Sequence, residues 1–169
     1  RVSKGGFGEY AYIISKLCKT MTDSKFIVAV PRRAKSAATM LALGADEIHM
    51  GNASQLGPID PQISGMPALG ILPALKMIAQ VVERNPGSAN MFAQYLIKSI
   101  KLEHIGFCDR VAESSVQYAI RLLRTKPFLI DRVEEIARQF VYEYKSHNFV
   151  IDAEEAVNIL SSDMIYRDT

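Results

Sequence analysis

Residues 26–50 read Phe26-Ile-Val-Ala-Val30-Pro31-Arg-Arg-Ala-Lys35-Ser36-Ala-Ala-Thr-Met-Leu-Ala-Leu-Gly44-Ala-Asp-Glu47-Ile-His-Met50, and their order decides the fold class. Phe26 to Val30 is a short, mostly β-branched apolar run that stops at Pro31, the pattern of a strand buried on both faces of a parallel sheet. Ser36 follows a basic turn and opens a helix of small residues, Ala37 to Leu43, which Gly44 ends. Glu47 to Met50 reads as a second short strand. Strand, helix and strand joined by turns make an α/β unit.

Upstream of that unit, Tyr10, Ile13, Ile14, Leu17, Cys18 and Met21 recur at helical spacing from Glu9 onward, and Thr22-Asp23-Ser24 marks a turn. Residues 1–8 carry Gly5, Gly6 and Gly8 and read as a loop. Downstream, Gly51 to Pro67 is rich in Gly, Pro, Ser, Asn and Asp, so an irregular loop is expected. The character then changes. Residues 72–84, 89–103, 109–125, 132–145 and 153–160 all carry helical periodicity, with Asn85-Pro86-Gly87 separating the first two. Asp152 and Glu155 have capping-box spacing for the last helix. An α/β part over about 1–67 thus leads into a helical part over about 68–169, without a linker between them. A single domain over 1–169 is the expectation.

A chain of 169 residues is large enough to bury a substantial core. With 49% apolar and 22% charged residues its composition is that of a globular protein, which excludes disordered and rod-like classes. Twenty basic side chains face eighteen acidic ones and neither sign forms a block, so no nucleic-acid footprint is present. Cys18 and Cys108 stand in no metal-ligand spacing, no GxGxxG fingerprint follows a strand, and neither a cofactor nor a metal is expected. No apolar run approaches the length of a membrane span. The chain begins with Arg1 and reads as a piece of a longer one, so membrane contact is expected only through a segment upstream. A soluble, cytoplasm-facing domain is the expected setting.

A serine just past a strand, at the first turn of a helix, has two chemical advantages. Helix N-terminal amides are unpaired and carry partial positive charge, which suits a developing oxyanion. Ala37 and Ala38 are small enough for a substrate backbone to come close. Gly5 and Gly6 can add a further amide donor, because no side chain shields a glycine N–H. The competing role for Ser36 is that of an ordinary N-cap, its hydroxyl bonded to the helix amides.

The stretch from Pro31 through Ser36-Ala-Ala-Thr to Ile48 is followed by Ser54-Gln-Leu-Gly-Pro-Ile-Asp60-Pro-Gln62. Together with the early glycine pair and the late Tyr-x-x-His ending at His147, it resembles the serine dehydrogenase proteinase family. That family is distantly related to the Clp protease proteolytic subunit and to signal peptide peptidase. The resemblance implies a ClpP/crotonase-like fold, a stack of ββα turns with an added helical region. The strands that should precede the glycine loop are missing from the chain. It also implies Ser36 as nucleophile, an oxyanion hole at Gly5, Gly6 and Ala37, and a Ser, Asp, His order that Ser36, Asp60 and His147 can satisfy. Lys4 stands where relatives carry proline before the glycine pair. A homo-oligomer is implied as well, with a polypeptide as substrate.

The base is open on the sequence. Asp60 alone is a poor acceptor for a serine proton, but it can orient a histidine; it also suits the Asp-Pro turn in which it sits. His147 has the right intrinsic basicity and also suits a helix C-terminus. Lys76 is the rival, since signal peptide peptidase relatives use a serine–lysine pair. A lysine base requires desolvation, whereas helical spacing groups Lys76 with Gln80, Glu83 and Arg84 on a polar face. His49, ending a strand, and His104 are weaker alternatives. Two other function classes share the fold: a degenerate, non-catalytic scaffold that binds partners, and crotonase-like acyl-CoA chemistry, which has no need of a serine at position 36.

Overall fold

The structure is a computed structural model that describes residues 8–63 and 66–168. Helix α1 (Gly8–Thr20) is followed by strand β1 (Ile27–Val30), β2 (Arg33–Ala34), helix α2 (Ala37–Ala42), β3 (Glu47–Gly51) and β4 (Gln55–Leu56). Two further short strands, β5 (Gln62–Ile63) and β6 (Met66–Pro67), lead through a 3-10 turn into α3 (Ile71–Arg84). Then come α4 (Ala89–Ser99), α5 (Leu102–Leu123), α6 (Val133–Arg138), α7 (Ala153–Leu160) and finally β7 (Ile165–Asp168). The architecture is mixed α/β, mostly helical, with small parallel sheets.

The main sheet has the order β1-β3-β7, all parallel, with Val28 opposite Ile48 and Ile48 opposite Ile165. Its middle strand buries one face fully, with Ile48 and Met50 enclosed, while His49 on the other face is partly exposed. The outer strand β1 does not. Ile27 is 48% exposed and only Val30 is buried, so the expectation of a strand covered on both faces is corrected. The run of β-branched residues reported strand propensity; its position at the sheet edge set the burial. A second small sheet pairs β2 with β4 in parallel, and β5 pairs antiparallel with β6.

Helix α1 forms where its periodicity predicts, but its large apolar residues Tyr10, Ile13, Ile14 and Leu17 are exposed. The buried positions are the small ones, Ala11 and Ser15. Small residues let helices approach closely: Ser15 Oγ donates to the Leu41 carbonyl at 2.7 Å, beside Gly44. Helix α5 buries Ala112, Val116, Ala119 and Leu123. The sequence divides this helix between two segments, but it runs unbroken through Gly106. One interior glycine costs only about 1 kcal/mol, which the packing of the following turns readily outweighs.

The last helical segment before His147 is shorter than its periodicity suggests. After α6 the chain widens into a π-helical turn, Gln139–Glu143, with Phe140 and Val141 buried. Asp152 caps α7 as expected, accepting from the Glu155 amide at 2.9 Å. The Glu155 carboxylate accepts from the Tyr144 hydroxyl at 2.7 Å. Strand β7 has no counterpart in the sequence reading, although Ile165-Tyr166 carries β-formers. Its return to β3 weaves the end of the chain into the α/β half. By contrast, α3 and α4 bury no residue.

Candidate active site

Ser36 sits between β2 and α2 with φ 53° and ψ −117°, a left-handed conformation that residues with a Cβ rarely adopt. It occupies the N-cap position of α2, yet its side chain makes no capping hydrogen bond. The backbone is tied down on both sides instead. Its amide donates to the Pro58 carbonyl at 3.1 Å, and its carbonyl accepts from the Met40 amide at 2.9 Å. A serine on a strained strand-to-helix turn, its hydroxyl free of capping duty, is the arrangement by which α/β-hydrolases present a nucleophile. Ala37 is the first residue of α2, where helical geometry leaves the amide without an intrahelical partner.

The loop that accepts from Ser36 also carries Asp60. This carboxylate is 5% exposed, and Oδ1 lies 2.8 Å from His147 Nδ1 while Oδ2 accepts from Gln62 Nε2 at 2.8 Å. Burial pushes the Asp60 carboxyl above its ordinary value, and the bonds from His147 and Gln62 draw it part of the way back. With Nδ1 facing a buried acceptor, the imidazole is oriented by Asp60 and presents Nε2 on its other side.

Residues 87 apart in sequence meet here because backbone bonds lock two segments together. The Ile59 amide donates to the Phe140 carbonyl at 3.0 Å, out of the π-helical turn. Beyond the histidine, Leu56 and Ile151 exchange amide bonds at 2.8 and 3.2 Å, so the Phe140 and Ile151 ties flank the histidine segment. Thr39 joins the Ser36 helix to the same loop: its hydroxyl donates to the Ala34 carbonyl at 2.7 Å and accepts from the Gly57 amide at 3.2 Å.

Lys76 and His49 are not brought to this place. Lys76 stands exposed on α3. His49 lies within β3, its Nε2 3.1 Å from Glu47 Oε2 and its ring stacked on Tyr166 at 5.2 Å. Gly5 and Gly6, and Lys4 before them, lie outside the described residues, as does the side chain of His104. Among the described residues no three His, Cys, Asp or Glu side chains gather as metal ligands, and no helix is long and apolar enough to cross a membrane. Gln62 was missed as the second partner of Asp60, though it stands two residues further on in the same quoted loop.

The sequence model of the ClpP-like SDH-type serine proteinases matches residues 3–90, just over half of the chain. The chain belongs to this family. Its family-matched part holds Ser36, Asp60 and Lys76, whereas His147 comes from beyond it. Two curated relatives from Methanocaldococcus jannaschii are similar to this family member. The uncharacterized protein MJ1495 is 45% identical over 51 residues, which cover 30% of this chain and 18% of the relative. The uncharacterized protein MJ0137 is 45% identical over 49 residues, covering 29% and 17%. The matches thus span less than a fifth of either relative's length. No solved structure matches the chain.

Proposed function

We propose that this proteinase-family chain hydrolyses peptide bonds through an acyl-enzyme on Ser36, with His147 as general base and Asp60 as the residue that orients it. The observation that carries this reading is the pairing of His147 with the buried Asp60, which stands on the very loop to which the Ser36 backbone is hydrogen-bonded. Asp60 fixes the proton on Nδ1, so that Nε2 is the free acceptor. The Ser36 hydroxyl proton passes to Nε2 as Oγ bonds to the scissile carbonyl carbon. Negative charge then develops on the carbonyl oxygen, within reach of the Ala37 amide at the start of α2, with Gly5 and Gly6 as the further donors. His147 returns the proton to the leaving amine as the C–N bond breaks. A water molecule, deprotonated in turn by His147, releases the acid and restores Ser36.

The fold accompanying this reading is the ββα spiral of the ClpP/crotonase class, and the working form is a homo-oligomer acting on polypeptides. Light scattering of the full-length protein tests the second point, and a monomer at all concentrations overturns it. The non-catalytic scaffold has one observation in its favour: among the described residues Ser36 Oγ makes no hydrogen bond to His147. Catalytic contacts commonly tighten only with substrate bound. A fluorophosphonate probe decides between the two. Labelling of folded protein that maps to Ser36, disappears in Ser36→Ala and slows in His147→Ala supports the peptidase. No labelling, or labelling untouched by Ser36→Ala, overturns it.

A further inference from the structure

Lys35 directly precedes the proposed nucleophile, but its side chain leaves the site and crosses the neighbouring loop. Its ammonium donates to the Leu56 carbonyl at 3.0 Å and to the Phe149 carbonyl at 2.5 Å. The first of these lies on β4, just ahead of the Asp60 loop. The second lies two residues past His147. No carboxylate is bonded to the Lys35 ammonium among the described residues. Partial burial, and then Arg33, work against its charge.

The route is cut through Gly57. A Cβ on that residue would stand 2.2 Å from Lys35 Cδ and 3.2 Å from both Cε and Nζ. Glycine is therefore needed at this position for the lysine stem to pass, with no demand on its φ. The histidine segment has few other ties of its own. The Asn148 amide donates to Ser146 Oγ at 3.2 Å and the Phe149 amide to the Ser146 carbonyl at 2.9 Å, both within the segment. Anchoring to the rest of the molecule includes the Asp60 bond, the Leu56–Ile151 bridge, the Phe149 ring against Tyr144 at 4.7 Å, and Lys35.

We propose that Lys35 is a positioning residue, a cationic clamp that fixes the His147 segment against the Ser36 turn, with Gly57 as the gap through which it reaches. This rests on the peptidase reading for its consequence in catalysis, but not for its mechanical part. A histidine displaced by about 1 Å is expected to cost on the order of 10²-fold in rate. A clamp on His147 also has to act through His147 and through nothing else.

The test is a double-mutant cycle on the rate of fluorophosphonate labelling of the full-length protein. Lys35→Met, which keeps the length and loses the charge, should slow labelling by about 10²-fold. In a His147→Ala background the same change should have no further effect. Gly57→Ala, which retains the ammonium but blocks its path, should repeat this pattern. Equal slowing in both backgrounds, or none in either, overturns the proposal. Hydrogen exchange supplies the independent arm: Lys35→Met should speed exchange of the amides of residues 146–149 at least about tenfold relative to α7. Unchanged exchange there removes the clamp. If wild-type protein takes up no probe, the peptidase reading fails, and the exchange measurement alone still decides for or against the clamp.

Discussion

At Ser36 two demands conflict, one from the backbone and one from the chemistry. A positive φ is costly for any residue with a Cβ, by about 1–3 kcal/mol, and glycine would relieve it. The strained serine persists because bonds to Pro58 and Met40 over-determine its backbone. Ser36→Gly is therefore expected to unfold at higher denaturant than Ser36→Ala, by roughly 1 kcal/mol in equilibrium urea unfolding, although both lose the hydroxyl. Asp60 poses a second test. Asp60→Asn keeps the shape but offers His147 an amide in place of a charged acceptor, which favours the wrong tautomer. Probe labelling is expected to fall by about 10³–10⁴-fold with the fold intact by circular dichroism. The sequence made Ser36, Asp60 and His147 legible as residue types, and it kept Lys76 as a rival on a polar helix face, where the fold indeed leaves it exposed. Only the fold set the imidazole against the carboxylate.

Among the elements, close approach of helices carries much of the architecture. An added Cβ at Gly44 would come within 1.9 Å of Ser15 Oγ and 3.1 Å of Leu122 Cδ2, breaking the bond from Ser15 to Leu41. Gly44→Ala is expected to cost about 1–3 kcal/mol, read as a lowered thermal midpoint. The C-terminus of α5 holds a second test. Lys126 is 3% exposed and donates to the Leu122 carbonyl at 3.1 Å and to Thr125 Oγ1 at 3.0 Å. Burial lowers its ammonium from 10.5 to about 8, with Asp46 working to raise it and Lys19 to lower it. The native state thus holds this proton less tightly than the unfolded chain does. Between about pH 8 and 10.5 the unfolded chain binds more protons, so this residue makes stability rise with pH. Relative to Lys126→Met, wild type should gain on the order of 2–3 kcal/mol from pH 7 to pH 10 in urea unfolding. An unchanged difference would contradict the burial of a charged lysine.

For the whole molecule, stability should be unevenly spread. The continuous core draws on β3, α2, α5, α6 and α7, with Met40, Ile48, Phe140, Ile151 and Leu160 fully enclosed. Helices α3 and α4 contribute nothing to it, and Met77, Met91, Tyr95 and Ile97 are exposed. In dilute, monomeric protein the amides of α3 and α4 are expected to exchange at least about tenfold faster than those of residues 112–123. Equal protection would mean that the two helices are covered.

Local chemistry was enough to announce most elements: Gly44 as a helix stop, Asp152 as a cap, the β-branched run at residues 27–30 as a strand. These depend on interactions between residues a few positions apart, and a sequence states such interactions directly. The family was legible for the same reason, since its matched motifs are contiguous. What lay beyond was every property that depends on distant segments meeting. The exposure of β1 follows from its place at the edge of the sheet, and β7 becomes a strand because β3 has an open side. Asp60 meets His147 because a π-helical turn and the Leu56–Ile151 bridge bring residues 56–60 to residues 140–151. Pairings of that kind are decided by the packing of the whole chain, because no local pattern encodes which carbonyl a distant amide will find.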